Sequence, residues 1–183
     1  MVTDLIQIGQ LAEKDERENL RFRRFLRQHH YRDDLLHRIA REVEREIDCT
    51  ACANCCRETR VSVTSKDIDS IARYLNLSRE QVIREYTEPD PGDRETILRH
   101  NDNGCVFLDG NLCMVYEVRP SACLAFPYLA SDARSLGGRM SSVCNHARIC
   151  PIIYNTIEAY KHAVGYHPCS HHAGSQHAGS KQG

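Results

Sequence analysis

No stretch of this chain approaches the about 20 consecutive apolar residues that a membrane-spanning helix needs, so no membrane role is expected. Its first residues, Met1-Val-Thr-Asp-Leu-Ile-Gln, carry neither a basic n-region nor an apolar h-segment, and no secretory leader is expected. There is no Gly-x-Gly-x-x-Gly and no phosphate loop, which removes the usual signs of a nucleotide enzyme. An excess of charge is missing too. The 24 Lys and Arg stand against 25 Asp and Glu, a formal net charge of −1, so the whole protein has no electrostatic pull toward nucleic acid or a lipid surface. Between residues 10 and 48 there is no glycine and no proline, the two strongest helix breakers.

Cysteine is what the chain has in abundance. Ten are present in 183 residues, and four fall within eight positions: Cys49-x-x-Cys52-x-x-Cys55-Cys56. Cys105, Cys113 and Cys123 follow, then Cys144 and Cys150, with Cys169 near the end. Without a leader the expected compartment is the reducing cytoplasm, where clustered cysteines read as metal ligands rather than disulfides. The Cys-x-x-Cys-x-x-Cys triplet is the spacing of a ferredoxin cluster loop, and Cys150-Pro151 supplies the Cys-Pro step that ends such runs. A Cys-x-x-Cys hook is equally a zinc half-site.

Three segments are expected. Residues 1–48 form a charged helical segment, with one helix over about 10–28 and an amphipathic one over 34–48 carried by Leu35, Leu36, Ile39, Ala40, Val43 and Ile47. Residues 49–165 form the cysteine domain. Within it, Arg60-Val-Ser-Val reads as a short strand, Thr64 opens a helix bearing Ile68, Ile71, Ala72 and Leu75, and Ser78-Arg-Glu-Gln81 is a capping box. Val106-Phe-Leu and Leu112-Cys-Met-Val-Tyr read as strands around an Asp109-Gly-Asn turn, and Pro151 begins a last helix to about residue 164. Residues 166–183, with His167, His171, His172, His177 and a His-Ala-Gly-Ser repeat, read as a disordered tail. The fold class expected is a small α+β domain organised by metal, with little β structure.

Ligand arithmetic leaves two arrangements open. With Cys169 set aside, nine thiols allow two four-ligand centres and a spare, or one centre plus buried or reactive cysteines. Cys55 and Cys56 are neighbours, and on an extended backbone neighbours point to opposite sides, which suits two centres or two corners of a larger cluster. The cofactor expected is an iron–sulfur cluster, most simply a four-iron one, with zinc as the alternative.

The block Cys-x-x-Cys-x-x-Cys-Cys, then Cys105-Val-Phe-Leu, Cys113-Met-Val-Tyr-Glu-Val-Arg-Pro-Ser-Ala-Cys123 and Phe126-Pro127, resembles the YkgJ-like cysteine-cluster family over residues 49–160. Members of that family are described as zinc- or iron-chelating proteins, and flagellin lysine N-methylase is a relative. The resemblance implies Cys49, Cys52, Cys55, Cys56, Cys105, Cys113 and Cys123 as ligands, with Cys144 as the eighth; it leaves Cys150 without a firm place. It implies metal binding more firmly than any reaction.

Arg119 before Pro120 is a candidate to neutralise an anionic thiolate centre, and Phe107, Tyr116 and Phe126 to wall it from water. A nucleophilic Cys–His pair could be sought in Cys144 with His146 or Cys105 with His100, with solvated histidines as the plainer reading. The basic run Arg21, Arg23, Arg24, Arg27 and Arg32 is offset by Glu13, Asp15, Glu16 and Glu18, which reads against nucleic acid and leaves the N-terminal helices as a surface for a protein partner. The function expected is metal binding, redox or methyl-transfer associated. A zinc-stabilised interaction module and a metal-handling protein are the alternatives.

Overall fold

The computed structural model describes residues 1–29, 32–92, 94–129 and 136–167, without the side chains of 136–139. It is a mixed α+β domain, mostly helical, with three short antiparallel strand pairs. The expected tail lies outside the described residues from 168 onward, and Cys169, His171, His172 and His177 lie there with it.

Three helices open the chain: α1 (Leu5–Lys14), α2 (Glu16–Gln28) and α3 (Asp33–Glu46). Asp4 caps the first, its carboxylate accepting from the Gln7 amide at 2.7 Å, and Asp15 breaks what the sequence suggested as one helix into two. Acidic residues Glu16 and Glu18 begin α2 and Arg27 ends it, the order the helix dipole favours. Two short helices follow, α4 (Cys49–Cys52) and α5 (Asn54–Glu58), then α6 (Ser65–Leu75) and α7 (Arg79–Tyr86). Both expected N-terminal signals close as capping boxes, Thr64 with Asp67 and Ser78 with Gln81.

The strands β1 (Thr87–Pro89) and β2 (Thr96–Leu98) pair antiparallel. The Arg60–Val63 segment joins β2 by a single bridge, Ser62 to Ile97, flanked by Val63 N–H donating to Thr96 O and Leu98 N–H to Val61 O. Two small hairpins come next, β3 (His100–Asn101) with β4 (Gly104–Cys105), and β5 (Leu108–Asp109) with β6 (Leu112–Cys113). A 3-10 turn over Tyr116–Val118 leads to α8 (Ser121–Ala125), and the last described helices are α9 (Leu136–His146) and α10 (Pro151–Ala163). Pro151 occupies the first turn of α10, where its missing amide costs nothing.

Two apolar cores result. The first joins Ile8, Phe22, Leu26, Leu36 and Ala40 from the N-terminal helices to Met140, Ile153, Ile157 and Tyr160 from α9 and α10. It crosses the residue-48 boundary, so the N-terminal helices and α9 and α10 share one interior. Polar ties fix the joint. Asn155 exchanges hydrogen bonds with the Val2 backbone at 2.9 and 2.7 Å, and buried Lys161 reaches Glu18 at 3.0 Å and Glu158 at 2.7 Å. Tyr166 is buried against Phe22 and Phe25, so the packed chain extends at least that far. The second core gathers Val63, Ile68, Ile71, Val82, Leu98, Phe107 and Val115.

Phe22 is fully buried, with its ring edge-on to Tyr160 and 5.0 Å from that of Tyr166. Phe22→Ala is expected to lower unfolding free energy by about 3–5 kcal/mol, read by denaturant titration, because three elements lose a common filler.

Candidate metal centre

The cluster segment is helical, not extended as the ligand arithmetic assumed. Asp48 caps α4 by accepting from the Thr50 amide at 2.8 Å, and Cys49 and Cys52 sit three apart on one turn, hence on one face. Ala53 takes a left-handed conformation (φ 49°) that ends α4 and starts α5 in a new direction. Cys55 and Cys56 then follow one another on α5, where successive side chains diverge by about 100°. The neighbours therefore still part company, through helical rather than strand geometry.

The two hairpins deliver cysteines by the same device twice, eight residues apart. Cys105 pairs with His100 and Cys113 with Leu108, each on the second strand of its hairpin. Val106 N–H donates to Arg99 O and Met114 N–H to Phe107 O, repeating the register. In each case the amide two residues on, Phe107 or Val115, faces the cysteine sulfur and favours its anion, against the larger effect of burial. Such donors tune bound thiolates.

Specific contacts press these parts together. At Gly104 (φ +113°) a Cβ would meet the Cys56 carbonyl oxygen at 2.7 Å and Arg57 Cα at 2.8 Å, so only glycine lets β4 lie against α5. Arg57 donates to Cys52 O at 3.0 Å, Gly110 O at 2.8 Å and Asn111 Oδ1 at 2.6 Å, while Asn111 donates to Ala51 O at 3.0 Å. The β5–β6 turn is thereby clasped onto α4 and α5. Asp67, nearly buried, accepts from Thr64 N and Oγ1 at 2.8 and 2.7 Å and from Ser121 N and Oγ at 2.9 and 3.2 Å, which holds α8 and its Cys123 to α6. On the other side Asn54 donates to Ile149 O at 2.9 Å and draws in the residue before Cys150.

A cavity of about 120 Å³ lies at the centre, walled by Cys49, Cys55, Cys56, Cys105, Cys113 and Cys123 and by Phe107, Tyr116, Arg119 and Phe126. Among the described residues no three His, Cys, Asp or Glu side chains are drawn in to clasp one metal ion; the sulfurs stand around the space. Arg119 lies over the Tyr116 ring, 3.6 Å from its centroid, and donates to Tyr116 O at 3.0 Å. Its charge favours the anions of Cys49, Cys56, Cys113 and Cys123, the outer neutralising role its sequence position suggested.

Burial dominates the thiols' chemistry. It pushes Cys105 up to about 11 and Cys123 and Cys150 up to about 12. The Cys55 thiol donates to the Cys56 sulfur, which raises Cys55 and lowers Cys56, with Arg57 and Arg119 adding to the latter. Buried soft sulfurs that resist ionising alone are suited to a cation, which supplies the missing charge and displaces the protons. The donor set therefore fits a zinc or iron centre.

Cys144 stands apart from this group. It borders a separate hollow lined by Asn19, Arg23 and Arg148, and the charges it senses are Arg23, Lys161 and Glu158, none of them a cysteine. Cys150, by contrast, senses Cys49 and Cys52. His146 directs Nδ1 to Ser142 O at 2.8 Å, on its own helix.

Residues 48–151, more than half of the chain, match the family CxxCxxCC, described as "Putative zinc- or iron-chelating domain". The chain belongs to the CxxCxxCC family. It is thus a metal-binding, cysteine-rich protein, and the matched span runs from α4 through the start of α10. Two proteins from Methanocaldococcus jannaschii are similar to part of this chain. The uncharacterized protein MJ0661 is 34% identical over 82 residues, 44% of this chain and 43% of its own length. The uncharacterized protein MJ0939 is 30% identical over 89 residues, 44% of this chain and 29% of its own length. The chain spans less than half the length of either relative. No solved structure matches it. Among the described residues no helix is long and apolar enough to cross a membrane.

Gly104, Asn54 and Asp67, which bring the cysteine segments together, and the approach of Cys150 to Cys49 and Cys52 are features that the sequence reading did not assign. Only Cys150-Pro151 and the glycine just before Cys105 carried a local signal. Gly104→Ala is expected to destabilise the domain by about 1–3 kcal/mol from backbone conformation alone, and further through the clash with Cys56. Metal content per chain should fall with it, read by metal analysis beside a denaturation curve. For Asp67, burial raises the carboxyl's pKa, but the bonds from Thr64 and Ser121 outweigh it and hold it below the ordinary value. A depressed pKa gives stability that is complete above the unfolded value of about 3.9 and is lost as pH falls through the folded one. Asp67→Asn should therefore weaken the fold at pH 7, with the gap to the parent narrowing below about pH 4, checked by denaturation across that range.

Proposed function

We propose that this chain carries an iron–sulfur cluster on thiolates from several segments and serves redox or methyl-transfer-associated chemistry in the reducing cytoplasm. The cavity carries the reading. A single zinc holds its four sulfurs at about 2.3 Å, which leaves no open space between them. Six cysteines around about 120 Å³ instead leave room for a body larger than one ion. When bound, such a cluster takes up and releases single electrons. The chain's own residues supply the rest. Phe107 and Phe126 exclude water, the amides of Phe107 and Val115 face sulfur, and Arg119 offsets the negative charge of the thiolates. Each of these is a known lever on cluster potential.

Anaerobic purification should yield a coloured protein with visible absorption, containing iron and acid-labile sulfide in similar amounts. A colourless preparation with stoichiometric zinc and no iron would overturn the iron–sulfur reading and favour the zinc-stabilised module. Arg119→Gln should leave iron content near that of the parent and shift the reduction potential downward, measured by redox titration, because a nearby cation favours the more negative reduced state.

A further inference from the structure

We propose that the hollow between α1, α2 and the end of α9 binds a small zwitterionic molecule of the dipeptide class. It is a second site, and it stands independently of the metal-binding reading. The hollow measures about 350 Å³, larger than the cysteine cavity of about 120 Å³.

Asn19 carries the proposal. It lies in the wall of the hollow and is only 8% exposed, and among the described residues its side-chain Oδ1 has no hydrogen-bond partner. An acceptor buried without a donor is costly, and an apolar residue at this position of α2 would avoid the cost. A donor that arrives with a ligand accounts for the oxygen.

The helix surface around Asn19 offers both signs of charge. Glu16, Asn19, Leu20 and Arg23 are spaced i, i+3, i+4 and i+7, one stripe of α2, and all four line the hollow. The helix rises about 10 Å from Glu16 to Arg23, with Asn19 between them. Glu13, in the last turn of α1, adds a second carboxylate, and Arg148, just beyond α9, adds a second guanidinium. Among the described residues no salt bridge joins either arginine to either glutamate, so these charges are not spent on each other.

That pattern selects the ligand. A simple anion would meet two carboxylates, and a simple cation two guanidinium groups. A molecule charged oppositely at its two ends satisfies both. An extended dipeptide spans about 7 Å, a length that side chains rooted about 10 Å apart can close upon. Its ammonium would go to Glu13 and Glu16 and its carboxylate to Arg23 and Arg148. Its peptide N–H, midway, would donate to Asn19 Oδ1. Leu20, with more than half of its surface exposed, offers apolar contact to a ligand side chain.

Isothermal titration of the full chain with the dipeptide Ala-Leu tests the site. Saturable binding at submillimolar concentration is expected, weakened about tenfold or more by N-acetylation or by C-terminal amidation. Absence of binding in that range overturns the proposal, and so does equal binding of the acetylated and amidated peptides. Asn19→Leu should weaken Ala-Leu about tenfold or more without lowering the thermal midpoint, since the unpaired oxygen goes with the side chain. A lowered midpoint with unchanged affinity would mark a structural asparagine and overturn its role. Arg23→Gln, at a half-buried position that the core does not need, should weaken Ala-Leu but leave the affinity for its amide unchanged. Equal losses for both peptides would overturn the carboxylate contact. Metal content should match the parent's in both variants, so a failure here leaves the cysteine centre untouched.

Discussion

The contact of Gly104 with the Cys56 carbonyl is the constraint on which the cysteine site depends. A hairpin of two-residue strands has little stability of its own, yet it must hold Cys105 against a helix nearly fifty positions earlier in the chain. Backbone-to-backbone approach at this range leaves no room for a side chain. Once it is made, the next hairpin repeats the geometry eight residues on, and Arg57 and Asn111 tie its turn to α4 and α5. Removing the one close approach would loosen the whole series, because each later contact is registered on it.

Polar groups rather than apolar area set the positions of the thiols. Asp67 takes four hydrogen bonds from two segments, closing the first turn of α6 and capturing Ser121 two residues before Cys123. Asn54 does the corresponding work for Cys150. Hydrogen bonds are directional, whereas apolar packing tolerates shifts of a methyl group or more. Fixing sulfurs in a coordination geometry calls for the directional kind.

Local signals read well along this chain and distant ones did not. The capping boxes at Thr64 and Ser78, the start of α10 at Pro151 and the turn at Asp109-Gly110-Asn111 each depend on residues within a few positions of one another. The break between α1 and α2 at Asp15 was missed because residues 10–28 run on without proline or glycine. Helix α9 was missed because Gly137 and Gly138 argue against a helix on propensity. Of the cysteines, Cys144 and Cys150 are only six residues apart and equal as candidates by spacing. What separates them is the end of α9 and the reach of Asn54 to Ile149, a contact spanning 95 positions. The divergence of Cys55 and Cys56 was legible, since strand and helix both turn neighbours apart.

The location of the cysteines gives the metal a second consequence. Cys150 is part of the first core, with the N-terminal helices and α10, while Cys105 is part of the second, with α6, α7 and the hairpins. The α4–α5 segment, with Cys49, Cys52, Cys55 and Cys56, is tied to both, to β4 through Gly104 and to the start of α10 through Asn54. Each core buries its own apolar residues, so neither depends wholly on metal to exclude water. The seam is different: it is made of desolvated thiols and a few hydrogen bonds, and those thiols give up their protons only when a cation binds to replace the charge. Binding energy released at the seam is therefore spent on holding the cores in one arrangement, which is the usual coupling of metal to folding in a more local form.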